Sequence, residues 1–237
     1  DEAYLDVTAD KLGIGSAITI AQEIKDAIAA ELNLTASAGV SVNKFVAKIA
    51  SDFKKPNGLT FIGPSKIIPF LEALPIDKFF GVGKVTAQKM KGMGIHIGQD
   101  LKRFTEAELT RHFGKSGAFF YHMVRGHDFR PVKPNRKTKS IGVEDTFETD
   151  LHEAKDLLLE LRTLCNKLAP RLSSKNKQGK TVTLKIKFSD FTQLTRSKTM
   201  PFYFNAEEDI YTLVVDLFEK LQLEERKVRL LGVTVSN

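Results

Sequence analysis

Gly81-Val82-Gly83 places two residues without a Cβ around one small apolar residue, between two short stretches of helical spacing and directly before Lys84. Few backbones accept this pattern other than a tight turn into a helix. Both glycines are free to take positive φ, so successive N–H groups can point outward together at the helix start, where the backbone attracts an anion. A lone Gly-x-Gly is otherwise an ordinary turn. Here Lys78, Lys84, Lys89 and Lys91 surround it with cations suited to phosphate contacts, and Gly92, Gly94 and Ile95 have the composition of a helix C-cap. Together these features read as a helix-hairpin-helix, a device that grips a nucleic-acid backbone without reading bases. It is not a dinucleotide fingerprint, because Thr86 stands where the third glycine is required.

At 237 residues with 42% hydrophobic side chains, the chain can bury one large core or two to three small ones. No run approaches the roughly 18 apolar residues of a membrane span, and the first residues are acidic, so neither a span nor a signal peptide is expected and the setting reads as cytoplasmic. Cys165 sits among leucines at helical spacing and reads as a buried, reduced thiol. The five histidines show no metal-ligand spacing. The formal charge of +7 is unevenly spread: residues 1–63 carry six basic and eight acidic side chains, residues 64–132 eleven and six, and residues 133–237 nineteen and fifteen. An acidic first third joined to two basic ones fits a metal-binding portion attached to modules that hold a polyanion.

The first segment reads as strand, helix, strand, helix, strand: a strand at Ala3 to Thr8, a Ser16-capped helix to Leu32 carrying Ile20, Ile24 and Ile28, a strand at Thr35 to Val40, a helix with Val42, Phe45, Val46, Ile49 and Phe53 on its stripe, and a strand from Leu59 to Ile62. Pro64 to Pro131 is helical throughout, with a Thr105/Glu108 capping box and a second turn at Phe113-Gly114-Lys115-Ser116-Gly117. That turn is not a P-loop, since Leu109 occupies the place of the first glycine. Arg130 to Lys139, basic and proline-containing, reads as a linker. A β-α-β-β-α-β pattern follows: a strand at Ser140 to Phe147, a helix capped by Asp150 and Glu153, a pair of strands at Thr181 to Phe188 and Gln193 to Met200, a helix capped by Asn205 and Glu208, and a last strand, Lys227 to Val235, with a bulge near Leu230 and Leu231. Its open face is expected to show Lys185, Lys187, Arg196, Lys198 and Arg229, either as a solvated charged face or as a DNA-binding one.

Asp1-Glu2 is the other suggestive pair. Two adjacent carboxylates can reach one Mg²⁺ where a strand bends, and phosphoryl transfer needs such oxygen donors. Taken alone, two acids at a chain end read as solvated surface. Lys48, Lys54 and Lys55 offer cations near the end of a neighbouring helix, and the turn at Pro56 fixes the direction of Lys55.

Asp1-Glu2-Ala3-Tyr4-Leu5-Asp6, Ala47-Lys48-Ile49-Ala50-Ser51-Asp52-Phe53-Lys54-Lys55-Pro56-Asn57-Gly58, Gly81-Val82-Gly83-Lys84 and Lys139-Ser140-Ile141-Gly142, in this order, resemble the Y-family DNA polymerases, the translesion enzymes. The resemblance implies an α+β multidomain chain: a partial α/β palm over residues 1–63, an all-helical helix-hairpin-helix thumb over 64–132, a linker over 133–138 and a β-α-β-β-α-β little finger over 139–237. It implies that Asp1 and Glu2 are catalytic residues holding two Mg²⁺ ions, that Lys55 and, more weakly, Lys48 contact the triphosphate, and that Gly81, Val82, Gly83 and Lys84 hold primer-strand phosphates. Lys139, Ser140 and Arg229 would meet the template backbone. The implied partners of the intact enzyme are primer-template DNA, a deoxynucleoside triphosphate and a sliding clamp, and the enzyme would act as a monomer. A third metal aspartate, the fingers and a clamp-binding peptide have no counterpart in these residues, so the 237-residue chain is expected to bind DNA weakly without polymerase activity. The competing reading is a non-catalytic helix-hairpin-helix DNA-binding repair protein.

Overall fold

The hydroxyl of Ser16 accepts the N–H of Thr19 at 3.3 Å and starts α1, Ala17–Leu32, which ends at Asn33 in the left-handed region. The computed structural model to which this helix belongs describes residues 2–135, 137–221, 223 and 226–237. The chain divides into two compact units, residues 1–134 and 135–237. In the first, β1, Ala38–Ser41, leads into α2, Lys44–Asp52, and pairs in parallel with β2, Leu59–Ile62. The close approach of β1 to α2 requires a glycine, since a Cβ at Gly39 would lie 2.0 Å from the Ala47 carbonyl oxygen.

The strand expected at Ala3 to Thr8 does not form. Among the described residues no neighbouring strand offers it a ladder, and the Asp6 carboxylate draws the Thr8 N–H into a local turn at 3.0 Å. For the same reason the apolar stripe of α1 is only half covered. Ile24 is 37% exposed, and the one buried residue of the helix is Lys25.

The rest of this unit is helical. α3, Ile67–Ala73, is followed by a 3₁₀ turn at Ile76–Lys78, then α4, Lys84–Gly92, α5, Gly98–Lys102, α6, Glu106–Phe113, and α7, Lys115–Val124. The Thr105/Glu108 capping box opens α6, and Gly114 at φ 58° turns the chain into α7. Phe45, Val46 and Ile49 of α2 share one core with Leu71, Met90, Leu101, Leu109 and Phe120. Asp128 fastens the end of the unit. Its buried carboxylate accepts the Phe45 N–H at 3.0 Å and the Arg130 guanidinium at 2.6 Å, while Asn43 donates to the Gly126 carbonyl at 3.1 Å. Burial pushes the Asp128 carboxyl up, but its bonds to Arg130 and to the Phe45 N–H outweigh this and hold it below the usual carboxylate range.

The second unit contains β3, Ser140–Leu151, α8, Ala154–Ser174, β4, Gly179–Phe188, β5, Gln193–Phe204, α9, Glu207–Glu219, and β6, Val228–Ser236. The four strands are antiparallel in the order β3-β6-β4-β5, and both helices pack on one face over a core that includes Leu161, Leu168, Leu184, Val214 and Val233. Cys165 is wholly buried there, and burial pushes its thiol up to about 12, so it is unreactive. Two expected caps are replaced. β3 runs on to Leu151, which carries Asp150 into the strand and leaves Glu153 as N-cap of α8, and Ala206 rather than Asn205 precedes α9. The expected irregularity in β6 lies one residue earlier: Leu230 pairs with Lys187 and Val228 with Phe188, which makes Arg229 the extra residue. Among the described residues no helix is long and apolar enough to cross a membrane.

Candidate nucleic-acid interface and phosphate-binding residues

Asn43 caps α2 by accepting the Val46 N–H at 2.9 Å, and burial of Phe45, Val46, Ile49 and Ala50 turns Lys48 and Asp52 outward one turn apart. Lys48 Nζ lies 2.8 Å from Glu2 Oε1 and 3.1 Å from Asp52 Oδ2, and Lys55 Nζ lies 2.5 Å from Asp52 Oδ1. Glu2, Lys48, Asp52 and Lys55 therefore form one continuous ionic chain. Burial lowers the Lys48 ammonium, but its two carboxylate partners leave it raised overall; burial likewise raises the Asp52 carboxyl, and Lys55 and Lys48 bring it below the usual range. Asp1 lies outside the described residues. Among the described residues no three His, Cys, Asp or Glu side chains converge as a metal site.

Sequence reasoning missed Lys25. The residue is 6% exposed, and its ammonium donates to the Asn57 carbonyl at 2.6 Å and to Asn57 Oδ1 at 2.8 Å, pinning α1 to the turn that follows Lys55. A lone lysine in an otherwise apolar helical stripe was the available signal. Beside it runs a groove of about 790 Å³, lined by Glu2, Tyr4, Ile20, Lys25, Lys48 and Lys55 among others.

At the hairpin, the Val82 N–H bonds the Phe79 carbonyl at 3.0 Å and Gly81 takes φ 92°. Gly83 does not follow it. It stays extended at φ −79° and ψ 170° and precedes α4 as an N-cap with no side chain, so nothing from the cap covers the first N–H groups of that helix. Gly94 at φ 77°, with the Ile95 N–H on the Met90 carbonyl at 3.0 Å, closes α4. The four lysines divide. Lys91 pairs with Asp77 at 3.2 Å and Lys89 donates to the His112 carbonyl at 2.5 Å, whereas Lys78 and Lys84 make no ion pair among the described residues.

Strand register corrects the expected face of the second unit. Partners across a ladder point the same way, and Arg196 pairs with core Leu184 while Lys198 pairs with core Val182. Both therefore point to the helix side, where Lys198 bonds Asp216 of α9 at 2.7 Å. The open face instead carries hydroxyls. Ser140 and Thr146 of β3, Thr234 and Ser236 of β6, Thr181 and Thr183 of β4, and Thr195, Ser197 and Thr199 of β5 share it, with Thr181–Thr199 at 2.9 Å and Thr183–Ser197 at 2.8 Å. Lys185 on this face is tied to Glu144 at 2.7 Å, Lys187 makes no ion pair among the described residues, and Arg229 approaches Asp150 at 3.7 Å. Lys139 is exposed just before β3. Alternate Ser and Thr across Thr181–Thr183 and Thr195–Thr199 was a legible sign of this face that charge counting passed over.

Three family models match along the chain: the impB/mucB/samB family over residues 1–52, the thumb domain of DNA polymerase-iota over 77–128, and the impB/mucB/samB family C-terminal domain over 138–237. DNA polymerase IV of Listeria monocytogenes serotype 4b (strain CLIP80459) is 46% identical over the whole chain, which covers 67% of that protein. The chain belongs to the Y-family DNA polymerases. Another family relative, DNA polymerase IV of Bacteroides fragilis (strain YCH46), is 48% identical over the whole chain. The chain spans 65% of that relative's length. A solved Y-family DNA polymerase chimera, Dbh-Dpo4(243-245)-Dbh, superimposes with a TM-score of 0.75 at 28% identity over 93% of this chain and 63% of its own. The thumb-domain match contains the Gly81–Gly83 hairpin, and the C-terminal-domain match spans the four-stranded sheet unit.

Proposed function

We propose that this chain is the palm (residues 1–63), thumb (64–132) and little-finger (139–237) portion of a translesion DNA-directed DNA polymerase, which adds a nucleotide to a primer 3'-hydroxyl. The observation that carries the reading is the ionic chain Glu2–Lys48–Asp52–Lys55, which gathers two carboxylates and two ammonium groups on one side of α2. Lys55 and Lys48 neutralise triphosphate charge, and Asp52 keeps the two ammonium groups together before a nucleotide arrives. Glu2, an exposed carboxylate of the hard-oxygen type that Mg²⁺ prefers, would hold that ion together with Asp1. When bound, the ions activate the primer hydroxyl and offset the triphosphate charge.

The uncovered N–H groups at the start of α4, with Gly81, Val82, Gly83 and Lys84, take primer-strand phosphates. The hydroxyl face with Lys139, Ser140, Lys185, Lys187 and Arg229 takes the template backbone, a contact that carries no base information and so suits damaged templates. In the full-length product a sliding clamp is a further partner. The test is Mg²⁺-dependent incorporation of one nucleotide on primer-template DNA by the full-length gene product. Glu2→Ala should abolish incorporation while leaving DNA affinity within about two-fold. No incorporation by the full-length product would leave the chain as a DNA-binding module only, and incorporation that survives Glu2→Ala would remove Glu2 from the metal site.

A further inference from the structure

The turn between β4 and β5 holds an apolar side chain in a backbone conformation that it resists. Phe191 has φ 64° and remains 61% exposed, so it carries left-handed strain and gains little burial in return. Glycine is the usual occupant of such a hairpin position. A residue held under strain with no core to fill points to a surface task.

The neighbours indicate what the task is. Lys187 Nζ and Arg229 Cζ each lie 5.0 Å from the ring centroid. Lys187 is the last open-face residue of β4, and Arg229 is the extra residue of the β6 bulge, so the two cations start from adjacent strands. A π face attracts both and holds two long, flexible side chains near one point. Of the nearby acids, Asp190 pairs with Arg226 at 3.0 Å, and Asp150 makes a long ion pair with Arg229 at 3.7 Å, which leaves Lys187 without an acidic partner among the described residues.

We propose that Phe191 is a positioning residue that gathers Lys187 and Arg229 into a single phosphate-holding pair for a DNA backbone at the hairpin end of the sheet. This rests on the nucleic-acid reading above. Two cations within reach of one ring suit a repeating polyanion, because each can hold a phosphate of the same strand.

The test is fluorescence anisotropy of a labelled DNA duplex titrated with the 237-residue chain at several salt concentrations. Phe191→Leu keeps apolar bulk and strain but removes the ring, and should weaken binding about three-fold; Phe191→Tyr should restore it. Lys187→Ala should weaken binding about five-fold in the parent chain but less than about two-fold when combined with Phe191→Leu. Phe191→Gly should weaken binding as Leu does while raising the unfolding midpoint by about 4 °C, because it releases the left-handed strain. Additive effects of Phe191→Leu and Lys187→Ala, or unchanged affinity in Phe191→Leu, would overturn the proposal and leave the nucleic-acid reading standing. A parent chain that binds no DNA at any salt would overturn both.

Discussion

The hairpin before α4 and the open face of the β3-β6-β4-β5 sheet are both candidate phosphate surfaces, built by opposite means. The hairpin offers bare backbone, with Lys78 and Lys84 unpaired among the described residues beside it. The sheet offers short hydroxyls, and part of its charge is diverted: Lys198 faces the helices and Lys185 is bound to Glu144. Counting lysines therefore points to the first surface as a candidate, and it puts Arg196 and Lys198 on the wrong side of the second. Which residues a ligand on the sheet could meet is decided by the side of the ladder on which each one falls.

Four measurements sharpen or break this contrast. The largest effect is expected at Asp128, which only the hairpin unit possesses. Asp128→Asn should cost that unit about 2 kcal/mol at neutral pH, because it weakens a buried charge-assisted bond to Arg130 and the Phe45 N–H. The folded carboxyl is held below its ordinary value, so its stabilisation is complete above about pH 3.9 and is lost as pH falls through the lower folded value. Urea unfolding of parent and variant should therefore converge on acidification, and a constant gap would refute the role.

Next is the pair Gly81→Ala and Gly83→Ala. The first forces alanine into φ 92° and should cost about 1 kcal/mol, whereas the second, at ordinary φ with open space around its Cβ, should be tolerated. Equal melting points would mean that the two glycines are interchangeable. Lys84→Ala should weaken DNA binding by a few-fold across sequences and flatten the salt slope by about one unit; an unchanged slope removes it from the interface. The smallest effect belongs to Lys198→Ala, which should leave DNA affinity within about two-fold, since that amine serves Asp216. A loss as large as that of Lys84→Ala would reverse the face assignment.

Local chemistry carried most of the fold. Ser16, the Thr105/Glu108 box, Gly81 and Gly94 act where their side chains or missing Cβ atoms predict, because a cap or turn is decided within four residues. The errors fall where distant partners decide. Ala3 to Thr8 has strand composition but no neighbouring strand among the described residues, and Asp150 is claimed by the extended β3, where it approaches Arg229. β5 is an edge strand with polar residues on both sides, so its own alternation cannot say which side is the core, and only the ladder to β4 settles it. At the candidate site, the pairing of Lys48 with Glu2 and the Lys25 clasp on Asn57 depend on contacts across the fold that spacing does not reveal.

The Asp128 fastening also has a mechanical meaning. Tension applied at Pro134 enters the first unit through Pro131, whose carbonyl accepts Lys44 at 3.2 Å, and then through the bonds joining Asp128 to Phe45 and Gly126 to Asn43. All three converge on the opening turn of α2. A pull on the connecting segment is therefore borne at the root of the helix that carries Lys48 and Asp52, and the hairpin lysines sit off the load path.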